Sequence, residues 1–103
     1  MAITQASADR MIESRIADAM HGNVDALFDL GVAYSTGRGG CAVDLIEAHK
    51  WFNIGALNGD ARSQQCRAEI SIEMTAREIA EAQKSARAFL AMGGAGAANR
   101  YAA

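Results

Sequence analysis

Apolar positions recur every three or four residues along most of this chain, the spacing of helices that are buried on one side. Ala8, Ile12, Ile16, Ala19 and Met20 form the first such stripe. They predict a helix from about Ser7 to Met20, with Gly22 as its left-handed stop. Asn23 is placed to cap a second helix, about Val24 to Ser35, with Val24, Leu27, Phe28, Leu30, Gly31 and Tyr34 on a broad apolar face. Gly37-Arg38-Gly39-Gly40 ends it. Asp44 reads as the cap of a third helix, with Glu47 three residues on, as in a capping box. Its buried side is marked by Leu45, Ala48, Trp51, Phe52, Gly55 and Ala56, and Asn58-Gly59 closes it. Asp60 caps a fourth, about Ala61 to Glu73, the most polar of the set, in which Ala61, Cys66, Ala68, Ile70 and Ile72 are the apolar residues. Thr75 and Glu78 make the clearest capping box, flanked by a possible staple of Met74 and Ile79. The fifth helix then runs to about Met92, with Ile79, Ala82, Ala86, Phe89 and Leu90 on one side.

Five short helices joined by short links predict consecutive antiparallel hairpins. A faint repeat supports this. Ala19-x-x-Gly22 recurs 37 residues later as Ala56-x-x-Gly59, and the caps Asn23 and Asp60 keep the same offset. Two helices per period of that length predict a short α-solenoid. The domain is expected to span 1–92, with residues 93–103, GGAGAANRYAA, as a flexible tail.

Composition sharpens this all-α reading. Half of the residues are hydrophobic, but many of those are alanine, a strong helix former that lets backbones approach closely. Proline is absent, so nothing forces a kink. The net charge of −2 is evenly spread, with no basic stripe, which argues against nucleic acid as a partner. No apolar run reaches the length of a membrane span, and no basic region followed by an apolar run marks a signal peptide. A cytoplasmic protein is expected, with Cys41 and Cys66 reduced.

Catalytic chemistry is not expected. Cys41, His49 and Cys66 lack metal-ligand spacing, so no metal site is expected. His21 reads as the closure of a helix C-terminus and His49 as a residue on a helix flank. A Cys41–His49 nucleophile pair is formally available, but Cys41 falls where the repeat expects a core residue. The run Gly37 to Gly40 follows a helix, whereas a phosphate loop follows a strand. Asp29, Glu47, Glu69, Glu73, Glu78 and Glu81 fall at caps or on solvated faces, and no pair stands out for acid–base work. No cofactor is expected.

These residues resemble the Sel1-like repeats, relatives of the tetratricopeptide repeats. The resemblance is carried by Ala19, Gly22, Ala26, Leu30-Gly31, Tyr34, Gly37, Gly39, Asp44, Ala48 and Trp51-Phe52, with Ala56 and Gly59 opening the next unit. It covers one full unit, 19–59, and fades over 60–74, where Gln64, Gln65 and Arg67 replace apolar residues. MTAREIAEAQKSA is similar to the closing helix of several bacterial Sel1-like proteins. The glycine turn is one residue longer here, at Gly40, and Cys41 takes a valine place. Some cysteine-rich members of that family are linked to antibiotic hydrolysis, but their regular cysteine pairs are missing from this chain.

The resemblance implies a protein–protein interaction module without catalysis, an adaptor or scaffold. The alternative is a small regulator that inhibits or stabilises one enzyme. In the family the first helix of each pair faces inward, which makes Asp25, Asp29, Val32 and Ser35, with Arg62, Gln65 and Glu69, the candidate partner-binding residues, while the polar fourth helix reads first as the end cap that every solenoid needs. So short an array also predicts possible self-association. Spacing alone suggests that the Tyr34 ring covers the gap left by Gly31, three residues away on the same face. Trp51 and Phe52, being adjacent, must point into different interfaces. Arg100-Tyr101-Ala102-Ala103 resembles tags read by bacterial energy-dependent proteases.

Overall fold

A computed structural model describes residues 4–94. Five α-helices follow one another: α1 (Gln5–Met20), α2 (Val24–Thr36), α3 (Leu45–Leu57), α4 (Ala61–Ser71) and α5 (Ala76–Ala91), with a 3-10 turn, Arg38–Gly40, between α2 and α3. No strand occurs among the described residues. The domain is all-α, and neighbouring helices pack on one another. Most of the flexible tail predicted after Met92, namely residues 95–103 with their protease-tag end, lies outside the described residues.

Each helix begins at a side-chain cap. Thr4, Asn23, Asp44, Asp60 and Thr75 each accept a hydrogen bond from the backbone N–H three residues on, satisfying a donor that a helix start leaves free. Thr4 moves the start of α1 ahead of the expected Ser7. Only Thr75 forms the reciprocal box, its own N–H donating to Glu78 Oε1 at 2.8 Å. The box expected at Asp44 is half made, because the Glu47 carboxylate turns to Lys50 instead, 3.0 Å away. The fourth helix ends at Ser71, before the expected Glu73, and leaves Ile72 exposed.

The turns after α1 and α3 are built from the same bonds. His21 and Asn23 N–H groups donate to the Asp18 carbonyl and Gly22 N–H to that of Ala19. After α3, Asn58 and Asp60 N–H groups donate to Gly55 and Gly59 N–H to Ala56. Gly22 and Gly59 take φ of +84° and +90°, a left-handed backbone that favours glycine. The capping bonds from Ala26 N–H to Asn23 and from Ser63 N–H to Asp60 follow in the same places.

Helix α3 is the hub, since α2, α4 and α5 all pack on it, whereas α1 rests on α2 and on the 3-10 turn. Ala48, Trp51, Phe52 and Ile54 of α3 and Leu27 and Leu30 of α2 are buried. The two neighbouring aromatics do point into different interfaces. Phe52 reaches α2, where its ring lies 5.9 Å from that of Phe28 and fills the space over Gly31. Trp51 meets Phe89 of α5 edge-on at 5.0 Å. This corrects the reading of Tyr34 as the cover of Gly31. A Cβ at Gly31 would overlap the Phe52 ring, so the α2–α3 interface requires glycine there. Gly55 plays the same part between α3 and α4, where a Cβ would overlap Ser63. Ser63 is thus fully buried in the most polar helix, with its hydroxyl donating to Asp60 Oδ2 at 2.6 Å. The α2–α3 link is tied back by Asp44 N–H, which donates to the Tyr34 carbonyl at 2.8 Å.

Candidate functional site

The residues expected to bind a partner fall into three pairs and a single residue apart from them, Asp29. Asp25 of α2 and Arg62 of α4 come together, with Arg62 Nη2 2.8 Å from Asp25 Oδ1. The same guanidinium bonds Asp60 through Nε at 2.9 Å and lies over the Phe28 ring, 4.4 Å from its centre. Burial pushes the Asp60 carboxyl up, but bonds from Ser63 and Arg62 and the Arg62 charge outweigh it and hold the group below the ordinary carboxylate range. Gln65 and Glu69 are exposed and bond each other along α4 at 3.3 Å. Val32 and Ser35 are half-buried, and the Ser35 hydroxyl donates to the Val32 carbonyl at 3.2 Å. Asp29 turns the other way, to Arg15 of α1 at 3.5 Å.

That last contact borders a concavity that the sequence reading did not single out. Met11, Ile12 and Arg15 of α1, Asp29, Leu30 and Ala33 of α2, and Arg38 and Gly39 of the turn line a cleft of about 160 Å³. Its floor is apolar and its rim is charged. The Met11 side chain lies against Gly39, where a Cβ would overlap its methyl. Ile12 also lines a wider cleft of about 450 Å³ on the other flank of α1, with Asp9, Glu13, Tyr34, Cys41, Val43 and Asp44 among its walls. That cleft has three carboxylates and no cation in its lining. Burial, then the charges of Glu47, Cys41, Asp44 and Asp9, push the Tyr34 phenol above its usual range.

The nucleophile and metal candidates do not assemble. Cys41 Sγ donates to the Ala33 carbonyl at 3.1 Å and is only half-buried, at the turn and not in the core. His49 is buried at 3% exposure, which corrects its placement on a helix flank. Its Nδ1 has no hydrogen-bond partner among the described residues, and burial, with the nearby Arg67 charge, pushes its pKa below the ordinary value. Trp51 Nε1 is likewise buried without a partner. Cys66 is half-buried, and its thiol is pushed up by burial and then by Glu69 and Asp60, away from thiolate reactivity. Among the described residues no three His, Cys, Asp or Glu side chains gather as a metal site would need, and no helix is long and apolar enough to cross a membrane.

The expected structural residues have these places. Gly22 and Gly59 make the matching turns, Gly37 closes α2, Gly39 faces Met11, and Asp44 caps α3. Leu30, Gly31, Ala48, Trp51 and Phe52 are buried, and Tyr34 is half-buried. No family model, no curated protein and no solved structure matches the chain.

Proposed function

We propose that this chain is a short helical-repeat module of the Sel1-like kind, working in the cytoplasm, that acts by binding another protein and performs no chemistry itself. The observation that carries the reading is the recurrence of one turn. The bonds made by His21, Gly22, Asn23, Ala26 and Leu27 N–H groups are made again by Asn58, Gly59, Asp60, Ser63 and Gln64. The ion pair from Asp25 to Arg62 links positions 37 apart, the same offset, so the helices that open the two units stand side by side. Helices set side by side over an extent of 47 × 29 × 22 Å offer long open faces for a partner. Cys41 bonds the Ala33 carbonyl at the turn, Asp44 and Asp60 cap helices, and the Cys66 thiol is pushed up by burial, which supports binding over catalysis.

Affinity capture tests this. The immobilised chain is exposed to extract from its source organism, captured proteins are identified by mass spectrometry, and each is purified and titrated calorimetrically. The reading expects at least one saturable partner. Several unrelated partners favour the adaptor, and one dominant enzyme whose activity changes on binding favours the regulator. Failure of every captured protein to bind in pure form, or turnover of a small substrate by the chain alone, contradicts the reading.

A further inference from the structure

We infer that the cleft between α1 and the C-terminal half of α2 is where a partner protein docks, through one aliphatic side chain that is followed or preceded by a carboxylate. The inference rests on the protein-binding reading above and names the chemistry that the site would select. Three observations carry it.

The first is size and lining. About 160 Å³ bounded by Ile12, Leu30, Ala33 and Met11 is room for one leucine-sized group, since apolar cavities of about 150 Å³ hold benzene. Met11 is the adaptable wall. It is 37% exposed, unbranched, and seated on Gly39, so it can shift to fit an incoming side chain.

The second is charge. The Asp29 carboxylate at the rim is answered by Arg15. Arg38, across the cleft, has neither an ion pair nor a side-chain hydrogen bond among the described residues. The rim therefore holds one uncompensated guanidinium beside an apolar floor, and the complementary group is a carboxylate.

The third is the contrast across α1. The wider cleft on its other flank carries Asp9, Glu13 and Asp44 with no cation in its lining. An acidic segment is repelled there and attracted at Arg38, which fixes the flank on which it lies.

The test uses the full chain labelled with ¹⁵N and three 12-residue peptides. In the first, leucine is set among glutamates and serines; in the second, lysines replace the glutamates; in the third, serine replaces leucine. The first peptide is expected to shift the amides of 11–15, 29–33 and 38–39, and the other two to bind at least about tenfold more weakly. Arg38→Glu, an exposed change whose fold is checked by circular dichroism, is expected to lose at least about tenfold for the glutamate peptide and to gain for the lysine peptide. Equal binding of all three peptides, no binding of the first, shifts confined to other helices, or indifference to Arg38→Glu each overturns the inference. So does sodium octanoate producing the same shifts at lower concentration than the peptide, which would assign the cleft to small acids. If a partner captured by the wild type binds Arg38→Glu equally well, this inference falls and the protein-binding reading stands. If nothing binds the wild type, the broader reading falls.

Discussion

Helices α1 and α3 close with the same backbone bonds, yet they meet the rest of the protein in opposite ways. In thirteen residues α3 buries Ala48, His49, Trp51, Phe52, Ile54 and Gly55. In sixteen, α1 buries Ala8 and Ala19 alone. The large side chains of α3 enter spaces made by glycine or by aromatic neighbours, so it is locked on three sides. Helix α1 touches α2 closely through alanine and leaves a cleft on each flank of Ile12. Equivalent turns position a helix, and the size of the side chains behind the turn decides whether it becomes scaffold or an adaptable wall.

Substitutions can break this contrast in graded steps. The largest effect is expected at Trp51. Trp51→Ala should cost about 3–5 kcal/mol of a total of about 5–15, whereas Ile12→Ala, half-buried between the clefts, should cost less than about 2. Urea unfolding measures both, and equal losses would erase the distinction between the helices. Gly31→Ala follows, at about 1–3 kcal/mol, because the new Cβ drives the Phe52 ring out of the α2–α3 interface. Trimming that ring by Phe52→Leu in the same chain should recover part of the loss, and no recovery would show that the clash is not its source.

His49 sharpens the comparison through pH. Its folded-state pKa lies below the ordinary 6.5, so below that pH the unfolded chain binds more protons than the folded one. Stability therefore falls as pH drops from about 6.5 toward the folded-state value, with a slope of at most about 1.4 kcal/mol per pH unit. Below both values the slope from this group vanishes. His49→Leu should flatten thermal stability across that window, and an unchanged slope would assign the effect elsewhere. Asp60 acts in a separate range. Its depressed pKa gives stability that is present above its ordinary 3.8 and lost as pH falls further. A smaller effect, about 1 kcal/mol, is expected from Thr75→Ala, which removes the α5 capping box. Asp25→Ala should change the unfolding midpoint least of all, because its ion pair with Arg62 is solvent-exposed, while Arg62 keeps its bond to the buried Asp60.

Much of the architecture was legible in the chain, because it is written in short-range rules. Caps such as Asn23, Asp60 and Thr75 and stops such as Gly22 act within one turn of helix, and they mark four of the five helix starts. What depends on distant neighbours was less legible. Which ring covers Gly31 is decided by α3, 21 positions along, and not by the same-face Tyr34. His49 looks like a flank residue until α3 is enclosed on three sides. The cleft at Arg38 was hidden for the same reason. Its lining comes from three elements, and its one local signal was an arginine set among the glycines that end α2. The expected face was legible in part. Asp25 and Arg62 do meet, whereas Asp29 was drawn to α1 by Arg15, a residue the repeat spacing does not include.

Native-state hydrogen exchange tests the division between scaffold and adaptable wall most directly. Amides of Ala48–Ile54 should exchange only through global unfolding, with the same free energy as urea denaturation reports, while amides of Met11–Ile16 should exchange through a smaller local opening at clearly lower free energy. If α1 is protected to the same level as α3, it is part of the locked core, and the account of its two flanking clefts as the receptive side of the protein is contradicted.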